Sequence, residues 1–265
     1  MIRSFRSELV KLHRASIIFG GGGALAGFTV LATVLTFTTA TVAARPATGS
    51  RYPAATFAGL ARPNGFTLGF ANAAGLLGIL VFVLFLTSMT TEYGQGTLRV
   101  LLSRQPRRAR LLTGKFCALL TVVAAAMAAA ELLSAAVAIP LAHGRGIATA
   151  DWFTASGLGH AAANYVNSLL AVACFAAIGF ALGVLLRSTP LALAVGLAWL
   201  LPLENIVQNS WTGATHWLPG LLFGAVARGG TTSVSYQAAV ALALGYALIA
   251  AIAGMASFLR RDVTT

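Results

Sequence analysis

Charged side chains are scarce in this sequence. Of its 265 residues, 9% are charged and 58% are hydrophobic, whereas a water-soluble domain carries about 25% charged residues. Acidic residues are the rarer class, because six Asp and Glu stand against 18 Lys and Arg, which gives a net charge of +12. This composition excludes a soluble enzyme, a disordered chain and a secreted disulfide scaffold. Together with a mean hydropathy of +0.83, it predicts several membrane spans.

Cysteines and catalytic motifs are also few. Cys117 and Cys174 both lie in apolar stretches, and we expect them to be reduced packing residues. No G-x-x-x-x-G-K-[ST] loop occurs, since the glycine run at 20–23 is not followed by Lys and Ser or Thr. The histidines show neither an H-E-x-x-H pattern nor metal-ligand spacing. We therefore assign no catalytic residue and no metal site, and any ATP hydrolysis must come from another chain.

Six apolar segments are each long enough to cross a bilayer, which takes about 20 residues. The predicted fold is an all-α, polytopic membrane protein that forms a single domain over residues 1–265. Pro202 should kink or end the fifth span, because proline removes a helix hydrogen bond. The predicted spans cover residues 16–42, 68–90, 116–140, 161–186, 189–207 and 238–259.

Polar and small residues inside these spans predict helix-to-helix contacts. Asparagine side chains form hydrogen bonds between membrane helices, and glycines four residues apart let two helices approach closely. The predicted contact residues are Asn72, Asn164 and Asn167 together with the pairs Gly23/Gly27 and Gly179/Gly183.

The distribution of Lys and Arg predicts that both termini are cytoplasmic. With that orientation five of the 18 cations lie outside and the other 13 inside, as the positive-inside rule requires. Trp152, Trp211 and Trp217 then lie near the outer surface, where tryptophan anchors a membrane protein. We expect a multi-pass protein of a bacterial cell membrane. The rival interpretation is a signal peptide cleaved near residues 42–44, although the first apolar run exceeds a signal peptide's 7–15 residues.

Two short segments on the cytoplasmic side have amphipathic patterns. Residues 1–15 place apolar side chains at spacings of three and four with basic residues between them, which predicts a helix lying in the membrane interface. In the loop 92–110, Thr97 can begin a helix and Pro106 ends it. This helix of about two turns is too short to be stable alone in water, so it needs a membrane or a protein groove to lie on. A plain positive-inside loop is the alternative.

The same residues resemble the ABC-transporter permeases of the type-2 exporter family. The resemblance lies in the runs at 92–98 and 103–108, followed by Gly114-Lys115, and in the segments 7–12 and 258–263. It implies a coupling helix that docks on a cytoplasmic ATPase subunit, an interfacial N-terminal helix, and a second, identical or different permease subunit. It also implies that ATP and magnesium bind the partner ATPase and not this chain. The residues that it places at the ATPase contact are Glu92, Gly96, Thr97, Leu98, Arg99, Leu101 and Leu102.

Two carboxylates within the spans are candidates for a substrate pathway. Glu131 lies midway along the third span, where an ionisable group indicates function by default. It either lines the path of a cationic substrate or is protonated and hydrogen-bonded between helices. Glu204 follows Pro202 at the outer end of the fifth span. We interpret it as part of a solvated outer gate or as a polar helix end.

Functions of other classes fit less well. An intramembrane enzyme needs a cluster of catalytic groups that the sequence lacks. A secondary transporter places more ionisable residues at the midplane, and it remains the alternative together with an ATP-independent membrane channel. Nucleic acid is excluded as a partner because the cations are scattered along the membrane edges. Membrane lipids are expected partners.

Overall fold

A computed structural model describes residues 18–42, 55–97 and 108–260. In these segments every regular element is a helix. The one β-type contact among them is an isolated parallel bridge between Thr41 and Thr56. The predicted interfacial helix over residues 1–15 lies outside the described residues. The α-helices run over Gly23–Thr38, Phe57–Leu60, Leu68–Gly94, Arg108–Gly144, Ala155–Leu186, Thr189–Ala198, Glu204–Ser210, Pro219–Ala227 and Tyr236–Arg260.

Within this part of the chain, six helices are long and apolar enough to cross a membrane, which confirms the predicted number of spans and identifies a multi-pass membrane protein. Several begin earlier than their apolar runs. The fourth begins at Ala155 because the Thr154 hydroxyl accepts the Gly157 N–H at 3.2 Å and caps the helix. The six spans are Gly20–Thr38, Gly65–Gly94, Ala109–Gly144, Ala155–Leu186, Thr189–Ser210 and Tyr236–Arg260.

The second and fourth spans form the centre of the bundle. Gly179 and Gly183 lie directly against the backbone of Phe82 and Leu86 in the second span, where a Cβ atom would collide. The predicted glycine contact is therefore confirmed for this pair. For Gly23 and Gly27 it is wrong within the described residues, because nothing lies within 4 Å of a Cβ built on either.

Asparagine side chains join neighbouring spans, as the sequence predicted. The Asn72 amide donates to the Thr36 hydroxyl at 3.2 Å, and the Asn164 amide donates to the Thr67 hydroxyl at 2.8 Å. The Asn167 side-chain oxygen accepts a hydrogen bond from the Tyr236 hydroxyl at 2.7 Å. Such bonds contribute about 0.6 kcal/mol each between membrane helices, so their main effect is to fix which faces meet.

The fifth span is interrupted at Pro202 but does not end there. A π-helical segment, Trp199–Leu203, contains Pro202 and separates two α-helical pieces. Proline cannot donate the usual helix hydrogen bond, and a π turn absorbs the resulting mismatch. The predicted disruption is confirmed as a wide turn, after which the helix resumes at Glu204.

Trp152 is fully buried, so the prediction of an interfacial anchor is wrong for this residue. Its indole N–H donates to the Leu60 carbonyl oxygen at 2.9 Å, and its rings contact Phe37 and Phe66. The segment after the first span folds over this end of the bundle and supplies both the apolar contacts and the acceptor that a buried indole needs.

The two cysteines differ in their surroundings. Both are free thiols; Cys174 is buried and Cys117 is exposed. The expectation of a packing residue is therefore confirmed for Cys174 and wrong for Cys117, whose helix turns that position away from the core.

A short helix, Pro219–Ala227, packs against the fourth and sixth spans with most of its residues buried. The Tyr246 hydroxyl of the sixth span donates to the Trp217 carbonyl oxygen at 2.7 Å just before this helix begins. Protein therefore shields its backbone polar groups, which a helix dipping into a membrane requires.

Candidate functional site

The predicted ATPase contact begins where the second span ends. Gly96 has a φ of +66°, a left-handed conformation that suits glycine just after the end of a helix. The Thr97 hydroxyl donates to the Glu92 carbonyl oxygen at 3.4 Å and so binds the start of the loop to the helix end. The other predicted contact residues lie outside the described residues; they are Leu98, Arg99, Leu101 and Leu102.

Glu92 forms an ion pair with Lys115 across the two ends of this loop. The Lys115 Nζ lies 2.6 Å from Glu92 Oε1, and the two side chains are 6% and 15% exposed, respectively. Lys115 also donates to the Ser88 carbonyl oxygen at 2.7 Å. Charge-assisted hydrogen bonds of this kind are strong, so the end of the second span and the start of the third are joined directly.

A second contact joins the same region to the turn between the fourth and fifth spans. The Arg187 guanidinium lies 5.0 Å from the centroid of the Tyr93 ring. Arg187 has a φ of 54°, and its N–H donates to the Gly183 carbonyl oxygen at 3.2 Å, which ends the fourth span. Beside it, the Thr189 hydroxyl donates to the Thr90 hydroxyl at 2.7 Å.

We call this set the loop stem; its residues are Ser88, Thr90, Glu92, Tyr93, Lys115, Arg187 and Thr189. The sequence identified Glu92, and it included Lys115 in the run that carries the family resemblance, but it predicted neither the ion pair of Lys115 nor the contact that Arg187 makes. The available signal was weak: each is a lone cation at the end of an apolar run. The stem contains no cluster of catalytic side chains, and its contacts join the ends of four spans.

Glu131 lies half-buried in the middle of the third span. No hydrogen bond reaches its Oε1 atom from the residues that the structure describes, although that atom is buried. The nearby Tyr165 hydroxyl donates instead to the Ala124 carbonyl oxygen at 3.0 Å. The structure thus brings Glu131 together with neither the loop stem nor Glu204.

Glu204 is 1% exposed, so the expectation of a solvated gate or polar helix end is wrong. Its Oε1 atom accepts the Gly220 N–H at 2.9 Å, in the first turn of the short helix Pro219–Ala227, where backbone N–H groups favour a negative charge. The carboxylate is buried where the start of this helix meets the fifth span at Gly220.

Glu204 also lines a cavity of about 780 Å³. The cavity extends from the end of the bundle opposite the loop stem to Phe175 and Leu200, near the middle of their spans. The candidate substrate residue is therefore in a space large enough for a small molecule, since ligand pockets range from about 300 to 1,000 Å³.

Neither the stem nor the cavity resembles a metal centre. Among residues 18–42, 55–97 and 108–260, no three His, Cys, Asp or Glu side chains are grouped as metal ligands.

A family model described as "Protein of unknown function (DUF2705)" matches residues 30–264. The match begins within the first span and includes the loop stem, Glu131 and the cavity. No functionally curated protein matches the chain.

Proposed function

This chain belongs to the DUF2705 family, and we propose that it is the membrane-spanning subunit of an ATP-driven exporter of the ABC type. It pairs with a second permease subunit and receives force from a separate cytoplasmic ATPase through residues 92–110. ATP and magnesium bind that partner. Both termini are cytoplasmic, and the protein resides in the cell membrane.

The observation that carries this proposal is the loop stem. A loop that only sets topology needs positive charge but no rigid attachment to the helices. Here the ion pair between the buried Lys115 and the half-buried Glu92 joins the second and third spans, and the Arg187–Tyr93 contact adds the turn between the fourth and fifth. A displacement of the loop would therefore move several spans as one body.

The proposed cycle is a switch between two arrangements of the bundle. ATP brings two ATPase subunits together, and they carry the loop with them. Because the stem joins the spans, the motion reaches them, and the cavity between the two permease subunits opens outward instead of inward. A ligand can shift such an equilibrium only through contacts that differ between the two states, and the contact between loop and ATPase supplies that difference.

The composition of the loop fits a protein partner. Between positions 98 and 110 it has leucines at 98, 101 and 102 and arginines at 99, 104, 107, 108 and 110. The leucines would provide packing in a groove, and the arginines would steer and orient an acidic surface in a salt-sensitive way.

The test is co-expression with candidate cytoplasmic ATPases followed by affinity purification. We expect Leu98→Asp/Leu101→Asp to release the ATPase while the protein stays inserted in the membrane, because two carboxylates cannot enter an apolar groove without a large desolvation cost. The matched control is Ala148→Asp/Ala150→Asp, which adds the same charges at exposed positions of the opposite end of the bundle.

ATPase retained by the Leu98→Asp/Leu101→Asp variant would refute coupling through this loop. The alternative function has its own readout in proteoliposomes that contain no ATPase. Substrate flux driven there by a proton or sodium gradient would favour a secondary transporter, and passive flux would favour a channel.

A further inference from the structure

An apolar groove of about 350 Å³ runs between the third, fourth and sixth spans. None of its lining residues is charged, and several of them are exposed, including Cys117 and Leu244. Its lining on the fourth and sixth spans is rich in alanine, whose small side chain leaves space between the two helices unfilled. We call it the stem-side groove; residues that define it are Leu112, Phe116, Ala177, Val184, Ala251 and Met255.

The length of this groove matches one leaflet of a bilayer. On the sixth span it extends from Leu244 to Met255, which is about 16 Å at 1.5 Å per residue. The hydrocarbon core of a bilayer is about 30 Å thick, so one leaflet provides about 15 Å. A helix of this length, about 10 Å across, fills more than about 1,000 Å³ and exceeds the volume of the groove. A single hydrocarbon chain therefore fits it better than the helix of a partner protein.

Exposed arginines flank the groove at the end of the bundle that carries the loop stem. Arg110 lies three positions before the lining residue Thr113, so both are on neighbouring parts of the same helix face. Arg260 follows Met255 by just over one turn and ends the sixth span. Both arginines are exposed, and a long side chain at a helix end can reach the polar surface of the membrane.

Negative charge is scarce on this side of the membrane. With both termini on that side, it holds 13 of the 18 cations and only three carboxylates, Glu8, Glu92 and Asp262. Glu92 is already paired with Lys115. Anionic lipid head groups supply the missing counter-charge, and basic pockets between membrane helices are places where such head groups bind. An uncharged or zwitterionic head group brings no net negative charge and compensates this excess less well.

We propose that the stem-side groove binds one anionic phospholipid. One acyl chain lies along the groove and packs on Phe116, Ala177 and Ala251, and the phosphate pairs with Arg110 and Arg260. The lipid thereby contacts the third, fourth and sixth spans together and fills the space that their small residues leave. This binding does not depend on the proposed export function and requires no ATPase.

Photo-crosslinking to the full chain in phosphatidylcholine nanodiscs tests the proposal. The two probes are phosphatidylglycerol and phosphatidylcholine that carry the same diazirine-labelled 16-carbon chain, and peptide mass spectrometry locates the adducts. We expect the phosphatidylglycerol probe to label the groove at least about fivefold more than the phosphatidylcholine probe, as attraction to one arginine already implies. This preference should shrink in 1 M salt, where charges are screened beyond about 3 Å.

Substitutions test the two parts of the site separately. Ala251→Phe puts a ring into the groove and should remove most of its labelling by both probes. Its matched control, Ala253→Phe, adds the same ring at an exposed position of the same span outside the groove lining and should be labelled like the parent. Arg110→Gln/Arg260→Gln should remove most of the preference for phosphatidylglycerol. Arg62→Gln, an exposed cation at the opposite end of the bundle, should retain it.

Equal labelling of the groove by the two probes would overturn the choice of an anionic lipid. Parent-like labelling of a folded Ala251→Phe variant would place the lipid elsewhere, and an undiminished preference in Arg110→Gln/Arg260→Gln would contradict the head-group contact even if Ala251→Phe does not fold. Cys117 is exposed in the groove. A disulfide-linked dimer that forms in oxidised membranes and is lost in Cys117→Ala would show that a second copy covers the groove, which would also refute the proposal.

Discussion

Lys115 shows how one residue can bind two structural elements. It is 5% exposed, and its ammonium group contacts both a carboxylate and a backbone carbonyl oxygen of the second span. Burial of an ion pair costs desolvation energy that the attraction only partly returns. The pair therefore contributes more to the fixed geometry of the loop stem than to the net stability of the fold.

Removal of one partner should expose that cost. We expect Glu92→Gln to destabilise the protein by about 3 kcal/mol, because Lys115 would keep its charge without a counter-charge. The double variant Glu92→Gln/Lys115→Met should recover part of the loss, which thermal unfolding in detergent measures as an interaction energy. Arg110→Gln, an exposed cation on the same helix, is the control and should change little. Strictly additive effects of the two substitutions would contradict direct coupling.

The burial of individual side chains was the hardest property to predict from the sequence. The hydrophobic pattern gives no sign that Trp152 is a core residue or that Glu204 is buried. Both depend on segments that fold back over the bundle: the stretch up to Leu60 provides the acceptor for the indole, and the short helix provides Gly220 for the carboxylate. Such contacts join distant parts of the chain, so no local spacing encodes them.

At the scale of elements, the six spans were predictable because bilayer thickness sets their length and composition. The residues at which the spans begin and end were less predictable. The Arg108–Gly144 and Ala155–Leu186 helices continue beyond the apolar runs, since helix propagation needs hydrogen bonds and a cap but not hydrophobicity. The glycine motif illustrates a further limit: two pairs with the same spacing have different surroundings, and only one faces another helix.

This difference between the glycine pairs gives a matched prediction. Gly179→Ala should destabilise the bundle by about 1–3 kcal/mol, because its methyl group would collide with the Phe82 backbone and force two central spans apart. Gly27→Ala should leave stability unchanged or raise it by about 0.5–1 kcal/mol, because alanine favours a helix and no atom opposes it. Melting temperatures of the two variants in the same detergent check this. Equal effects would show that the close contact of the second and fourth spans does not limit stability.

At the scale of the whole molecule, the loop stem and the cavity are at opposite ends of shared helices. The second span carries Ile79 of the cavity and Glu92 of the stem, about 20 Å apart at 1.5 Å per residue. The fourth span carries Phe175 of the cavity and leads to Arg187 of the stem. Rigid helices packed at glycine contacts transmit a displacement directly. The proposed ATPase contact and the proposed substrate site therefore need no additional connecting element.

The orientation of the protein in the membrane decides whether a cytoplasmic ATPase can reach the loop stem. In a chain with Cys117→Ala and Cys174→Ala, we expect Ala148→Cys to react with a membrane-impermeant maleimide on intact cells, since this exposed position lies at the end of the bundle opposite the stem. Ser103→Cys, in the loop itself, should react only after the cells are permeabilised. We expect this because the asymmetry of basic residues holds the arginine-rich loop inside during insertion. Labelling of Ser103→Cys on intact cells, with Ala148→Cys protected, would show that the protein has the opposite orientation. The loop would then be out of reach of any cytoplasmic ATPase.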